Sequence, residues 1–186
     1  MNKMTVKEIL LASAGLLGKG DEVKAYLDGT SLDAQADVEN LLRCFQLVEN
    51  ELALDYLPLH AEEEIQTQTG AIFFDEFTRA PVRILRVCDE GGKSCTFKLF
   101  PEYVKTQSGK VKVTYTYAPN EKTLDGESDY KAQASVRLFA YGIAAEYALA
   151  SGMFEDASVW DKKYKDAIEA AYRSTPSRVM RSRRWA

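Results

Sequence analysis

The sequence has one histidine, His60, and lacks the short motifs that mark most catalytic sites. The N-terminal glycines have neither the preceding strand nor the following Lys-Ser/Thr of a phosphate-binding loop. No serine stands in a Gly-x-Ser-x-Gly turn, and a single histidine leaves few ways to assemble a Ser–His–Asp triad. We therefore expect no enzymatic activity and no cofactor.

Cysteine is also scarce, with Cys44, Cys88 and Cys95 in 186 residues. This usage is typical of a reducing compartment rather than of a disulfide framework. A zinc site would require Cys44, in a predicted helix, to meet the other two cysteines and His60, so we expect no metal site.

Long apolar runs are missing, because no 18 consecutive residues are apolar. A membrane-spanning helix is therefore not predicted. Lys3 and the apolar stretch around residues 9–14 loosely resemble a signal peptide, but Lys7 and Glu8 interrupt that pattern. The N-terminus is predicted to begin a helix instead.

The chain is acidic overall, with 28 Asp and Glu against 24 Lys and Arg, yet its last fourteen residues carry five arginines and no acid. The Ser-Thr-Pro sequence from Ser174 disfavours continuation of the preceding helix. Arginine and tryptophan often dominate binding energy at interfaces. The alternatives are a solvated terminus and an arm that docks on another molecule, and we favour the arm.

The N-terminal part is predicted to be helical. Thr5 and Glu8 have the spacing of a capping box, and the helix that they start should stop at Gly18. A long third helix carries one apolar stripe and should end at Pro58. Its stripe consists of Val38, Leu41, Leu42, Phe45, Val48, Leu52 and Tyr56.

From about residue 60 the sequence favours β-strands, because β-branched and aromatic residues recur and several alternate with polar ones. In a strand, Glu62 and Glu64 lie on one face and Glu63 on the other, which is typical of a solvated sheet edge rather than a cation site. Tyr115 and Tyr117 share a face with two valines, which predicts either core packing or a subunit contact.

The sequence around Gly91-Gly92 predicts a β-hairpin. If these glycines form a two-residue tip, Cys88 faces Cys95 on the more apolar face. A cross-strand disulfide and two buried thiols are both compatible with that register. In a reducing cell we expect the thiols.

A closing helical hairpin is predicted after a polar connector at residues 119–129. Helix should return at Tyr130 and continue to Ala150, with many alanines that allow close packing of neighbouring helices. A Ser-Gly-Met turn follows, and a final helix starts near Phe154.

The predicted fold is α+β and mainly α: a helical bundle with a β-rich insertion and an extended C-terminal arm. Its segments are residues 1–58 (helical), 59–118 (β-rich), 119–174 (connector and hairpin) and 175–186 (arm).

The hairpin sequence YGIAAEYALASGMFEDASVWDKKYKDAIEAA, residues 141–171, resembles that of head–tail connector proteins of tailed bacteriophages. The likeness covers most of the chain as a layout and residues 130–186 as sequence. It implies a structural protein of the virion neck, assembled in the host cytoplasm into a ring, which in that family usually has twelve copies. Double-stranded DNA would pass through the lumen without specific binding.

The same resemblance implies partners and contact residues. The C-terminal arm would dock on the portal protein, and the β-rich insertion would face the next neck or tail ring. The docking residues carried over to this sequence are Arg178, Arg181, Arg183, Arg184 and Trp185. The main alternative is a nucleic-acid-binding module that uses the arginine-rich tail; the acidic body opposes it.

Overall fold

The computed structural model of the protein describes residues 4–174, which contain five α-helices and two small antiparallel β-sheets. This confirms the α+β class. The helices are α1 Val6–Leu16, α2 Gly20–Leu27, α3 Gln35–Glu51, α4 Val136–Ala150 and α5 Phe154–Ser174. The strands are β1 Leu59–Thr67, β2 Ala71–Phe73, β3 Pro81–Asp89, β4 Lys98–Leu99, β5 Tyr103–Lys105 and β6 Gly109–Tyr117.

The chain divides into two compact units. The helical unit comprises the residues up to Glu49 and those from Lys122 onward, so two separate chain segments build it. The β unit comprises Asn50–Glu121 and contains the six strands described above.

Helix α4 is the central element of the helical unit, since it packs against α1 and α5. Most of its side chains are buried, and its small residues permit the close approach predicted from the sequence. Phe139 links it to α3 by stacking on Phe45, with ring centroids 5.6 Å apart. The close packing of neighbouring helices predicted for this segment is confirmed.

The predicted limits of α1 are also confirmed. The Thr5 hydroxyl accepts a hydrogen bond from the Glu8 backbone N–H at 3.2 Å, which satisfies one of the free donors of the first turn. At the other end Gly18 has φ +74°, a left-handed conformation in which glycine carries no steric penalty.

Helix α4 begins six residues later than predicted, at Val136 rather than Tyr130. Ser135 caps it by accepting from the Leu138 N–H at 3.2 Å. Tyr130 is buried in the preceding loop, where its N–H donates to the Ser128 hydroxyl and its ring packs edge-on against Phe139. This anchoring explains why an apolar residue in the pattern lies outside the helix.

The long third helix also ends differently from the prediction. Regular α-helix stops at Glu51, and the last turn, Leu52–Tyr56, is a π-helix. That wider turn changes the direction of the side chains while keeping Leu52 buried. Pro58 then precedes strand β1.

The β unit contains one sheet in the order β1-β6-β3 and another in the order β2-β5-β4. The larger sheet pairs Ala61 with Tyr115 and Ile65 with Val111, so alternate residues of β1 and β6 face one core. Tyr115 is fully buried there, whereas Tyr117 at the strand end is half-buried. The core interpretation of this face is confirmed for Tyr115.

The register predicted for the Cys88–Cys95 hairpin is wrong by one residue. Cys88 bridges to Ser94, and the Cys95 N–H donates to the Val87 carbonyl at 2.8 Å. The turn is one residue longer than predicted, because Gly92 has φ +77° and its N–H donates to the Asp89 carbonyl. The three cysteines are free thiols.

Candidate interaction surfaces

The predicted docking residues, Arg178, Arg181, Arg183, Arg184 and Trp185, lie outside the residues that the structure describes. Helix α5 leads toward them, and in its last turns Arg173 pairs with Glu169 at 3.1 Å.

The turn between α4 and α5 exposes an apolar surface. Gly152 has φ +75°, and the Met153 N–H donates to the Ala148 carbonyl at 2.8 Å, which closes the turn tightly. Leu149 and Phe154 flank it and are 52% and 69% exposed. Two acidic residues follow in the first turn of α5, where the helix dipole favours negative charge. We call Leu149, Met153, Phe154, Glu155 and Asp156 the hairpin tip.

A groove lies toward the other end of the same hairpin, between the start of α4 and the second half of α5. Its volume is about 630 Å³. The groove is open because small side chains such as Ala167 and Ala171 line part of it. Arg137, Tyr141 and Lys163 line the rest of this surface. We call this the α4–α5 groove.

Two cations of the groove are held by aromatic rings. Tyr141 stacks on Trp160 at 5.9 Å, and the Lys163 Nζ lies 4.2 Å from the Trp160 ring centroid. The Arg137 Nε donates to the Tyr141 hydroxyl at 2.6 Å. Within residues 4–174 neither cation forms an ion pair with a carboxylate. Both charges therefore remain available to an acidic partner.

The β unit exposes a second apolar surface, formed by the smaller sheet. Phe100 stacks on Tyr103 with centroids 4.7 Å apart, and Phe73 contacts the same tyrosine at 5.6 Å. Phe73, Phe100 and the neighbouring Leu99 are 46%, 40% and 57% exposed. We call these four residues the aromatic patch. The sequence pattern does not single out this patch, because strands of two or three residues show too little alternation.

A buried polar cluster joins the end of α3 to the connector in the helical unit. Glu49 is 2% exposed, and its Oε1 accepts from the Ser128 hydroxyl at 2.6 Å and from the Asp129 N–H at 3.0 Å. Asp129 in turn pairs with Lys122 at 3.0 Å. Burial raises the pKa of Glu49, and its two hydrogen bonds oppose that shift.

A second polar cluster joins three helical elements. Asp37 accepts from Lys19 at 2.7 Å and from the Tyr147 hydroxyl. The hydrogen bond from Lys19, followed by that from Tyr147, lowers the pKa of Asp37. Burial is the largest cause that raises the pKa of Tyr147. The cluster fixes α3 against α4 in the helical unit.

The acidic run of β1 divides between the two faces of its strand, as predicted. Glu62 and Glu64 pair with Lys112 and Lys110 on the exposed face, each at 2.6 Å. Glu63 faces inward and accepts from the Tyr115 hydroxyl. Strand β1 is an edge strand of the larger sheet, so the edge interpretation is confirmed.

No group of three or more His, Cys, Asp or Glu side chains within residues 4–174 is arranged to hold a metal ion. In the same range every buried side-chain nitrogen and oxygen has a hydrogen-bond partner. The polar clusters of the described chain thus connect elements of the fold.

No helix in the described part of the chain is long and apolar enough to cross a membrane. No protein-family model and no curated protein matches the sequence.

Proposed function

We propose that this protein is a structural adaptor of the neck of a tailed bacteriophage and not an enzyme. In this proposal its copies form a ring, expected to contain twelve, between the capsid portal and the tail. The C-terminal arm, with Arg178, Arg181, Arg183, Arg184 and Trp185, docks on the portal, and the β unit contacts the next ring.

The observation that carries the proposal is the exposure of large apolar side chains on both compact units. Phe154 of the helical unit lies beside the exposed Met153, and Phe100 of the β unit lies beside the exposed Leu99. Contiguous exposed apolar residues with a polar rim are typical of protein–protein contacts. Separate contact surfaces on separate units are what a protein needs in order to join different partners.

The chemistry of the polar residues supports a structural role. Glu49, Asp37 and Tyr147 have shifted pKa values, a property that can mark catalytic groups. Each of them is engaged by neighbours from other elements of the fold. None of these three residues lines the α4–α5 groove, where five of the twelve lining residues are alanines.

The charge of the chain supports the proposed relation to DNA. The net charge is −4, and four of the arginines lie beyond Ser174, so residues 1–174 are more acidic than the whole chain. An acidic surface repels phosphate and favours passage of DNA without specific binding.

The test is to mix the purified protein with the portal protein encoded with it and to examine the products by electron microscopy. The expected product is a closed ring of this protein on the portal. DNA binding is measured in parallel at several salt concentrations. A strictly monomeric protein that ignores the portal and binds DNA with a steep salt dependence would instead indicate a nucleic-acid-binding module.

A further inference from the structure

We propose that the hairpin tip of one copy docks in the α4–α5 groove of the next copy. This inference rests on the proposed ring and identifies the contact that builds it. Tip and groove cannot meet within one molecule, because Phe154 precedes Lys163 and Ala171 by about 14 and 26 Å along a straight α5. A contact between a tip and a groove therefore requires two copies of the chain.

The apolar parts of the two surfaces are complementary. Phe154 is 69% exposed at the start of α5, although transfer of a phenylalanine ring out of water has a strongly favourable free energy. The groove offers about 630 Å³ over small side chains, among them the exposed Ala170. A ring that enters the groove would contact alanines and the Tyr141 side chain.

The charged parts are complementary as well. Glu155 and Asp156 are exposed and form no ion pair within residues 4–174, and the next base along α5 is Lys162. The groove presents Arg137 and Lys163, together with one acid, Asp166. Acids at the tip and an excess of cations in the groove attract each other across the contact.

The same charges disfavour symmetric pairing. Two tips would place acids against acids, and two grooves would place cations against cations. Each copy offers one tip and one groove, so the contact is head-to-tail and continues from copy to copy. Such an interface forms a ring when its rotation closes, and an open filament otherwise.

The test uses two kinds of variant in the full-length protein. The tip variant combines Phe154→Ser with Asp156→Lys, and the groove variant combines Arg137→Glu with Lys163→Glu. A second groove variant, Ala170→Arg, fills the groove from an exposed helix position and leaves the aromatic contacts of Lys163 intact. The matched controls in α5 are Val159→Ser, another exposed apolar residue, and Lys162→Glu. Circular dichroism and thermal melts establish that each variant is folded.

Sedimentation velocity and native mass spectrometry then report the assembly state. We expect both tip and groove variants to weaken self-association by at least about tenfold, while the controls behave like the wild type. Mixed in equal amounts, the tip variant and the Ala170→Arg variant should form a heterodimer and nothing larger, because only one intact tip and one intact groove remain. The proposed contact would be refuted if the tip and groove variants assembled as the wild type does, or if the mixture contained no heterodimer.

Portal binding separates this inference from the proposed function. If the wild type is monomeric alone, the variants are compared for ring completion on the portal. Rings on the portal that form equally well from the tip and groove variants would refute this contact and leave the adaptor function standing. A wild type that self-associates through tip and groove, as the variants report it, yet does not bind the portal would refute the adaptor and support the contact.

Discussion

Gly142 of α4 lies directly against the ring of Tyr164 in α5. A Cβ atom at position 142 would be 2.9 Å from Cε2 of Tyr164 and 2.9 Å from Cγ1 of Val48 in α3. Contacts this short are not tolerated without movement, so the absence of a side chain sets the spacing of three helices.

Replacement of Gly142 by alanine should therefore destabilise the helical unit. Overpacking of a core costs about 1–3 kcal/mol, and the better helix propensity of alanine offsets at most about 1 kcal/mol. We expect the free energy of unfolding in urea to fall by about 1–2 kcal/mol. Gly15→Ala is the matched control, since a Cβ at Gly15 meets nothing within 4 Å and should be neutral or slightly stabilising. Equal effects of the two substitutions would contradict this packing.

Close packing around α4 was predictable because its small residues recur along an apolar helix. The first residue of that helix was not predictable, since Tyr130 fits the apolar pattern but is held in a loop by its contacts with Ser128 and Phe139. The register of the β-hairpin between Cys88 and Cys95 was also predicted incorrectly. It depends on the left-handed conformation of Gly92, which a pair of adjacent glycines does not specify.

The buried Glu49 should give stability a specific pH dependence. Its pKa is raised by burial from an ordinary value of 4.5, so the folded protein holds this proton more tightly than the unfolded chain does. The contribution of Glu49 is therefore most favourable below pH 4.5 and is lost as the pH rises through the folded pKa. In Glu49→Gln this dependence disappears. The stability of the wild type relative to the variant should thus decrease with rising pH, as measured by urea unfolding.

Glu49→Ala is the control for the hydrogen bonds. It leaves the Ser128 hydroxyl and the Asp129 N–H without their acceptor, which costs about 1–3 kcal/mol for a buried group. The alanine variant should be less stable than the glutamine variant throughout the pH range. If the alanine and glutamine variants are equally stable, the side-chain oxygen at position 49 does not stabilise the cluster as a hydrogen-bond acceptor.

The three thiols should differ in reactivity toward an alkylating agent at pH 8. Burial, with a contribution from Glu146, raises the pKa of Cys44 to about 11, and Cys88 is buried as well. Cys95 is half-buried and should react first. Mass spectrometry should find one rapidly labelled site, absent from Cys95→Ser. Labelling of Cys44 or Cys88 as fast as that of Cys95 would contradict this order of burial.

The exposed surfaces were predicted less well than the core. Periodicity placed Val111, Val113 and Tyr115 on one face, with core packing and a subunit contact as alternatives, because a nine-residue strand repeats the pattern several times; the structure buries all three in the core. It gave no signal for Phe100, since strand β4 has only two residues. The turn that forms the hairpin tip was predictable from its Ser-Gly-Met sequence. The exposure of Phe154 was not, because it depends on how the helices pack in the folded unit.

Replacement of both Leu99 and Phe100 by serine should separate partner binding from folding. The two side chains are 57% and 40% exposed, so little buried area is lost and the melting temperature should change by only a few degrees. If the aromatic patch faces the next ring, the variant should still assemble on the portal and fail to bind the tail-side partner. Pull-down with tail-side proteins measures this, with Val82→Ser as an exposed control on β3.

Deletion of residues 175–186 should test the arm itself. These residues follow the last described turn of α5, and the buried apolar residues of the described chain lie between Met4 and Ile168. We expect the helical circular dichroism signal and the melting temperature to be nearly unchanged, and incorporation into the portal complex to be lost. Full-length protein with Trp185→Ala and the four arginines intact serves to distinguish an apolar socket from charge alone: loss of portal binding in this variant indicates a socket for the indole. If the truncated protein unfolds, the segment belongs to the folded core and the docking interpretation is wrong.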